Sequence, residues 1–445
     1  MKLHPGFRAA VLAVVAIVFA FSATCYAAGG GETAGAAATI PQGTVITLKN
    51  WQQYKGFMPY GMQQMFAGTY HWKFPASFQM EIGPRHHYAP PKTFTENTEK
   101  YASQVKVVNL PNGGHSISGY VAGLPFPNPT DPMKGYKILV NEWYRYVPYI
   151  ICSAAYGYQL ILEDRFGNET TLATPLVYRR LSHISDYDYP ITDPHAQGID
   201  YSEWVEVLLP EQDKYTQNLT LYYNDPSKPE VVVLFIPALR RSLRLSTAAR
   251  CAPFVGTDWT QDDVRTGFNG GIVRWDSTFL REQPVITLTT VDRMKFSNWK
   301  NYYPGVIWPE PSWAKYETRP SYVIDVRRIP SERAGYCYGK QIMYVDKENY
   351  DLYWKDIYDS SMKYWKALVG DHIASPVPHE GMQFETGNLI ERVYDMQSAH
   401  FSIVVSSDPR GNWDHNNGEC KNYNGMNYDN VVKYSTAAGL ALVLR

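Results

Sequence analysis

The sequence predicts a mainly β protein with a few helices, an α+β fold organised around one large antiparallel sheet. Three observations point there. Several runs alternate apolar and polar residues with period two, the mark of a half-buried strand: Leu239, Leu243 and Leu245 against Arg240, Ser242, Arg244 and Ser246, and Tyr322, Ile324 and Val326 against Val323, Asp325 and Arg327. Turn signals such as Arg165-Phe-Gly-Asn168 and Asn224-Asp-Pro226 separate such runs, because Gly, Asn and Pro supply the backbone angles that turns require. The composition is 14% aromatic with 30 Pro and 32 Gly, which favours strands joined by tight connections. No βαβ alternation and no repeat of fixed period is present.

Residues 1–27 read as an export signal. Lys2 and Arg8 precede an unbroken apolar stretch from Ala9 to Phe21, and Cys25-Tyr-Ala27 offers small residues for cleavage. That stretch falls short of the ~20 residues a membrane-spanning helix needs. A lipoprotein reading through Cys25 is the alternative, although Ser22-Ala-Thr24 lacks the usual leucine. Residues 28–44, rich in Gly and Ala at their start, read as a flexible lead-in. Short helices are expected over 59–66, behind the capping-box spacing Thr93-Phe-Thr-Glu96, and from Asp258 with Gln261 in the reciprocal position. Residues 123–132 hold four prolines, which forbid helix and a central strand, and Tyr136 to Tyr144 follows with strand character. Further strands are expected at 158–163, 219–223, 231–236, 285–290, 341–345 and 401–405. The body is expected to span 45–370, with 371–445 an extension packed on it.

Lys and Arg number 42 against 43 Asp and Glu. There is no basic excess to hold nucleic acid or an anionic membrane by charge. The aromatic residues suit either an apolar cavity or a platform for sugars. Cys152, Cys251, Cys337 and Cys420 remain after the signal, an even number that suggests two disulfides in an oxidising compartment. Pairing of Cys337 with Cys420 is the expectation, with free buried thiols as the alternative. No cofactor is expected.

Catalytic patterns are weak throughout. Gly114-His-Ser-Ile-Ser118 resembles a nucleophile elbow but has serine where the closing glycine belongs. His86 and His87 would point to opposite sides of a strand. Asp186-x-Asp188 lacks the rest of a calcium loop. Gly335 to Lys340 lacks phosphate-loop spacing. No catalytic or metal-ligating set is therefore expected, and the chain reads as a binding protein and not an enzyme.

Four segments, in order, resemble a family of proteobacterial periplasmic proteins, the domain of unknown function 1329 family. They are Gly123-Leu-Pro-Phe-Pro127 with Lys137–Asn141, Phe235 to Ser246, Gly256 to Asp263 with Gly267-Phe268, and Met343-Tyr-Val-Asp346 leading to Tyr358-Asp359. That family is labelled outer-membrane lipoprotein-sorting and looks like an enlarged relative of the periplasmic lipoprotein carriers LolA and LolB. The resemblance implies a curved sheet, a half-barrel wrapped around helices, enclosing an apolar cavity for a lipid-like, acyl or sterol-like molecule. It also implies periplasmic work beside an inner-membrane transporter of the resistance-nodulation-division (RND) type and an outer-membrane protein.

Such a carrier needs apolar area and a place for the cargo's polar end. A ten-methylene chain gains on the order of 8 kcal/mol by burial, less several for association, leaving roughly micromolar affinity. Phe126, Trp143, Tyr144, Phe235 and Leu243 are the expected lining. Arg240, Arg241 and Arg244 are the expected basic rim, with Asp262 and Asp263 as supporting ion-pair partners. Arg241 falls among the leucines and would need such a partner if turned inward. The plainer reading of these arginines is a salt-bridge network, and of the aromatic residues ordinary core packing. A secreted hydrolase or carbohydrate-binding protein with an aromatic groove is the alternative function; it predicts two carboxylates about 5–10 Å apart.

Overall fold

Strand pairing in the computed structural model runs without a break through thirteen antiparallel strands of the described residues, which are 39–245, 250–265, 267–289, 302–303, 305–311, 315–384, 390–407 and 416–444. The signal segment and most of the lead-in lie outside them. β1 (Ile150–Glu163), β2 (Glu169–Arg180), β3 (Ile199–Glu206), β4 (Gln217–Tyr223), β5 (Val231–Ile236) and β6 (Arg241–Leu245) step outward from the middle of the sheet to one edge. β7 (Trp275–Thr287) forms the other edge. From it β8 (Glu317–Arg328), β9 (Tyr338–Asp346), β10 (Leu352–Asp359), β11 (Tyr364–Gly370), β12 (Ile390–Asp395) and β13 (His400–Val405) step back, and β13 closes on β1.

The turn signals do their expected work. Between β1 and β2, Asp164 accepts from the backbone N–H groups of Phe166 and Asn168, and Gly167 takes the left-handed φ of 81° that the turn requires.

Three helices precede the sheet: α1 (Tyr60–Phe66), α2 (Lys92–Tyr101) and α3 (Lys134–Tyr144). The first two fall close to where the sequence places them, but α2 starts at Lys92, ahead of Thr93, with Pro91 at its N-cap, so the expected capping box does not form. The third corrects the expected strand at 136–144. A short run dense in aliphatic and aromatic residues fits a buried strand or a buried helix equally well. Here it has no strand to pair with, so its backbone satisfies itself as a helix with nine residues buried. A Cβ at Gly135 would come within 2.5 Å of Phe279 N and Ser277 O on β7, so glycine lets the start of α3 lie against that strand's backbone.

The helix expected from Asp258 is also absent. Residues 258–263 form turns, with Asp263 accepting from Thr260 N at 2.8 Å. Asp263 also accepts from the Thr260 hydroxyl, and local side-chain bonds of this kind compete with helix formation.

Neighbouring residues reveal the curvature. Gln261 Nε2 donates to Thr220 Oγ1 on β4 at 3.1 Å. The next residue, Asp262, accepts from Arg328 on β8 at 2.5 Å. Those strands stand nine steps apart, which would be roughly 43 Å in a flat sheet. The sheet therefore curls round α3 and the segment 250–274 as a half-barrel.

Its outer face is covered as well. Residues 40–82, including Met62, Met65 and Phe66 of α1, pack on the side bearing Tyr344, Trp354 and Tyr394. The segment 416–444 packs on Val177, Trp204, Leu219 and Val233.

Residues 371–445 are therefore more than an extension packed on the body, because β12 and β13 lie at the sheet's centre. The disulfides are Cys152–Cys420 and Cys251–Cys337, with Cα separations of 6.2 and 5.8 Å, which corrects the expected Cys337–Cys420 pair. Register explains the first. Asn416 and Asn417 pair with Cys152 and Ile151 of β1 and bring Cys420 over Cys152, within the range a disulfide can bridge.

Candidate functional site

The segment 250–274 leaves the β6 edge, crosses the concave face and enters β7, and it carries an ion-pair network out of water. Arg250 pairs with Glu230 and Asp262, and Arg274 Nη1 lies 2.9 Å from Glu230. Tyr336 Oη donates to Asp262 at 2.6 Å. Lys355 Nζ sits 2.5 Å from both Asp263 Oδ1 and the Gly267 carbonyl. Burial alone would raise the Asp262 carboxyl, but Arg250 and Arg328 outweigh it and hold it well below the usual range.

Glu391 on β12 has the opposite balance. Burial lifts its pKa from 4.5 to about 8 against the opposing Trp259 N–H and Lys355, and burial likewise raises Glu142 and Glu203 to about 7. A carboxyl whose pKa is raised on folding stabilises the protein fully below its unfolded value, and that contribution is lost as pH rises through the folded one. Urea unfolding followed from about pH 4.5 to about 8 should show stability falling across this window. Glu391→Gln should flatten the upper part of the fall.

Beside this network, between the segment and strands β3 to β6, an apolar cleft of about 270 Å³ remains. Register builds its roof. Val205, Asn218 and Leu234 line it as one row across three strands, with Val232 opposite Leu245 in a second. Phe254 and Val255 close it from the segment, and Thr216, Asn218, Arg250 and Gln261 are the polar residues at its wall. Val255 adopts a left-handed φ of 50°, a strained conformation for a β-branched residue that costs on the order of 1 kcal/mol.

The expected site residues divide. Leu243 continues the row of Leu234 and is half-buried but does not line the cleft, and Arg241 lies on the same face but is exposed. Arg240 ends the preceding turn and Arg244 sits on the opposite face, both exposed. The buried arginine of this region is Arg250, further along the chain. It, and not Arg241, takes Asp262, while Asp263 serves Lys355. Strand position explains the difference, since β6 is the sheet edge and its side chains reach water.

Phe235 points to the outer face under the C-terminal segment, because its neighbour Leu234 faces the cleft. Trp143 and Tyr144 are core residues of α3. Trp143 lies against Tyr222 at 4.8 Å and under Arg265 at 4.1 Å, and Tyr144 against Tyr120 at 4.2 Å. Phe126 is half-buried, its backbone clasped by Asn141. None of these four lines the cleft. Val232 and Leu234 were visible within a strand pattern, whereas Phe254 and Val255 sit in a turn and carry no period.

A curled antiparallel sheet, closed over a packed helix and holding an apolar cleft at one edge, places the molecule among mainly β folds. The chain belongs to the family described as "Protein of unknown function (DUF1329)", whose family model covers residues 45–431. Solved structures similar to part of it include a putative outer membrane lipoprotein-sorting protein domain from Vibrio parahaemolyticus, 15% identical over 62% of this chain and 91% of that one, with a TM-score of 0.41. A DUF1329 family protein from Desulfovibrio piger is 14% identical over 66% and 97%, with a TM-score of 0.43. A LolA superfamily protein from Nitrosomonas europaea is 11% identical over 62% and 87%, with a TM-score of 0.34. No curated protein matches the chain.

Proposed function

We propose that this chain is a periplasmic carrier or accessory protein that holds a hydrophobic, lipid-like molecule in the cleft under β3 to β6. The observation that carries the reading is the cleft's lining, valine, leucine and phenylalanine on a concave face. Two disulfides fit an oxidising compartment. Exposed Arg241, on the same face as the lining row, makes no ion pair among the described residues and suits a cargo carboxylate or phosphate through its bidentate fork. The reading requires no catalytic group. The RND-type transporter and the outer-membrane protein are the partners it implies, one giving or taking cargo at each membrane.

The test is displacement of a fluorescent fatty acid by palmitate. Wild-type protein should bind with roughly micromolar affinity. Ala252→Trp, at an exposed position lining the cleft, should weaken binding at least about tenfold without changing the circular dichroism. Arg241→Glu should weaken palmitate and spare the matching alcohol. Undiminished binding in Ala252→Trp would remove the cleft from consideration.

One observation favours the carbohydrate reading. A polar groove of about 600 Å³ holds Asp186, Asp188 and Glu419 beside Tyr187, which is 52% exposed and faces His379. Oligosaccharide binding lost on Tyr187→Ala, with palmitate binding intact, would support it.

A further inference from the structure

The two margins of the sheet are not alike. β7 is guarded along its free side. A bulge at Leu280 interrupts its register with β8 between Phe279 and Arg281, and Pro284 lies within the strand. The start of α3 also rests against its backbone at Ser277 and Phe279. Bulges, prolines and covering elements are the devices by which edge strands avoid pairing with other chains.

Among the described residues β6 has none of these. It pairs with β5 in unbroken register, from Arg241 opposite Ile236 to Leu245 opposite Val232. It contains no proline or glycine, and no described segment pairs with its other side. A strand in that state offers a row of backbone N–H and C=O groups to an incoming strand.

What β6 adds is charge of one sign. Arg241 and Arg244 are exposed, as is Arg240 in the turn before them. None of the three makes an ion pair or a side-chain hydrogen bond among the described residues. Period-two geometry puts Arg241, Leu243 and Leu245 on the concave side, and Ser242 and Arg244 on the outer one. Like charges across a strand pair are destabilising, and a second copy would set three arginines against three, so this edge repels its own kind. A flat lipid surface meets one face of a sheet, whereas these arginines lie on both. A strand that carries carboxylates answers both at once.

We propose that the free side of β6 is a docking edge for an extended acidic segment of a partner protein, which joins the sheet as a further antiparallel strand. Facing Leu245, Arg244, Leu243, Ser242 and Arg241 in turn, its favoured pattern is apolar, acidic, apolar, polar, acidic. Backbone bonds supply the ladder, and the two carboxylates select the partner. The edge acts in this way whatever the cleft holds.

The probe is the peptide acetyl-Thr-Val-Glu-Val-Thr-Glu-Thr-amide, carrying a fluorophore and titrated against the full chain by fluorescence anisotropy. It should bind with a Kd below about 1 mM. Replacing both of its glutamates by glutamine should weaken binding about fivefold, through loss of two cross-strand charge pairs. N-methylation of alternate residues should abolish binding in one frame and be tolerated in the other, because only every second residue of an added strand bonds to its neighbour. Arg244→Glu, at an exposed position without a partner among the described residues, should weaken the acidic peptide about tenfold with the circular dichroism unchanged. No binding at about 1 mM, equal binding of the glutamate and glutamine peptides, or indifference to N-methylation in both frames would each overturn the proposal. Retention on phosphatidylglycerol vesicles without any response to the peptide would also overturn it, by assigning the arginines to a lipid headgroup. The peptide comparisons use the wild-type chain, so they decide the matter even if Arg244→Glu fails to fold.

Discussion

Asp262→Ala should lower the free energy of unfolding by about 3–5 kcal/mol, read as a shift of the urea midpoint at constant slope. Asp262 is the carboxylate that serves both Arg250 and Arg328, and it also accepts from Tyr336. Removing it leaves Arg250 with Glu230 and a long 3.5 Å bond to the Asn269 carbonyl. Among the described residues Arg328 then keeps only the faces of Trp275 and Tyr336, at 4.0 and 4.3 Å, where a desolvated cation–π contact gives about 2 kcal/mol. That is too little to replace a carboxylate out of water. Because the Asp262 pKa is lowered on folding, its contribution is present above the ordinary carboxylate range and is lost only as pH falls below it. The variant's deficit should therefore persist at neutral pH and shrink in acid. A deficit under about 1 kcal/mol would mean that the pair behaves like a screened surface bridge.

Replacing Cys152 and Cys420 together by alanine should cost about 2–5 kcal/mol. These residues stand 268 apart in sequence, so their link removes much of the unfolded chain's freedom. Cys251 and Cys337, 86 apart, should contribute about 1 kcal/mol less in the same chain-entropy account. The two differ in a second way. Cys152–Cys420 fastens residues 416–444 to the outer face of β1 to β5, so limited proteolysis of the double variant should cut within that segment first. Equal protease resistance would show that apolar packing alone holds it in place.

The strands that were legible in the sequence are those with one polar side or a clear turn beside them. β5 and the core of β8 stand at 231–236 and 322–327 as read. β10 was not found, and its residues say why. Leu-Tyr-Trp-Lys-Asp-Ile-Tyr-Asp has no period-two contrast, because Lys355 and Asp356 are buried along with their neighbours. Lys355 pairs on the concave side, and Asp356 accepts from Gly61, Trp354 and Tyr364 on the outer one. A sheet covered on both faces erases the alternation that identifies strands.

The run 136–144 failed for a related reason, since burial all round gives helix and strand the same apolar signature. At the site, the parity of β6 was legible, placing Arg241 and Leu243 on one face, but its exposure was not. Nothing local says that β6 is an edge. Disulfide pairing depended on register between segments far apart in sequence, which spacing cannot supply.

The two strands that complete the sheet are nearly the last to be synthesised. β1 to β6 and β7 to β11 can each pair as they emerge, yet each group keeps a bare inner margin until residues 390–405 arrive to seam them. A nascent chain of this architecture consequently stays divided and loosely joined through most of its synthesis, with its closing contacts among the most distant in sequence. Any truncation short of that seam would yield a sticky pair of half-shells instead of a smaller version of the molecule.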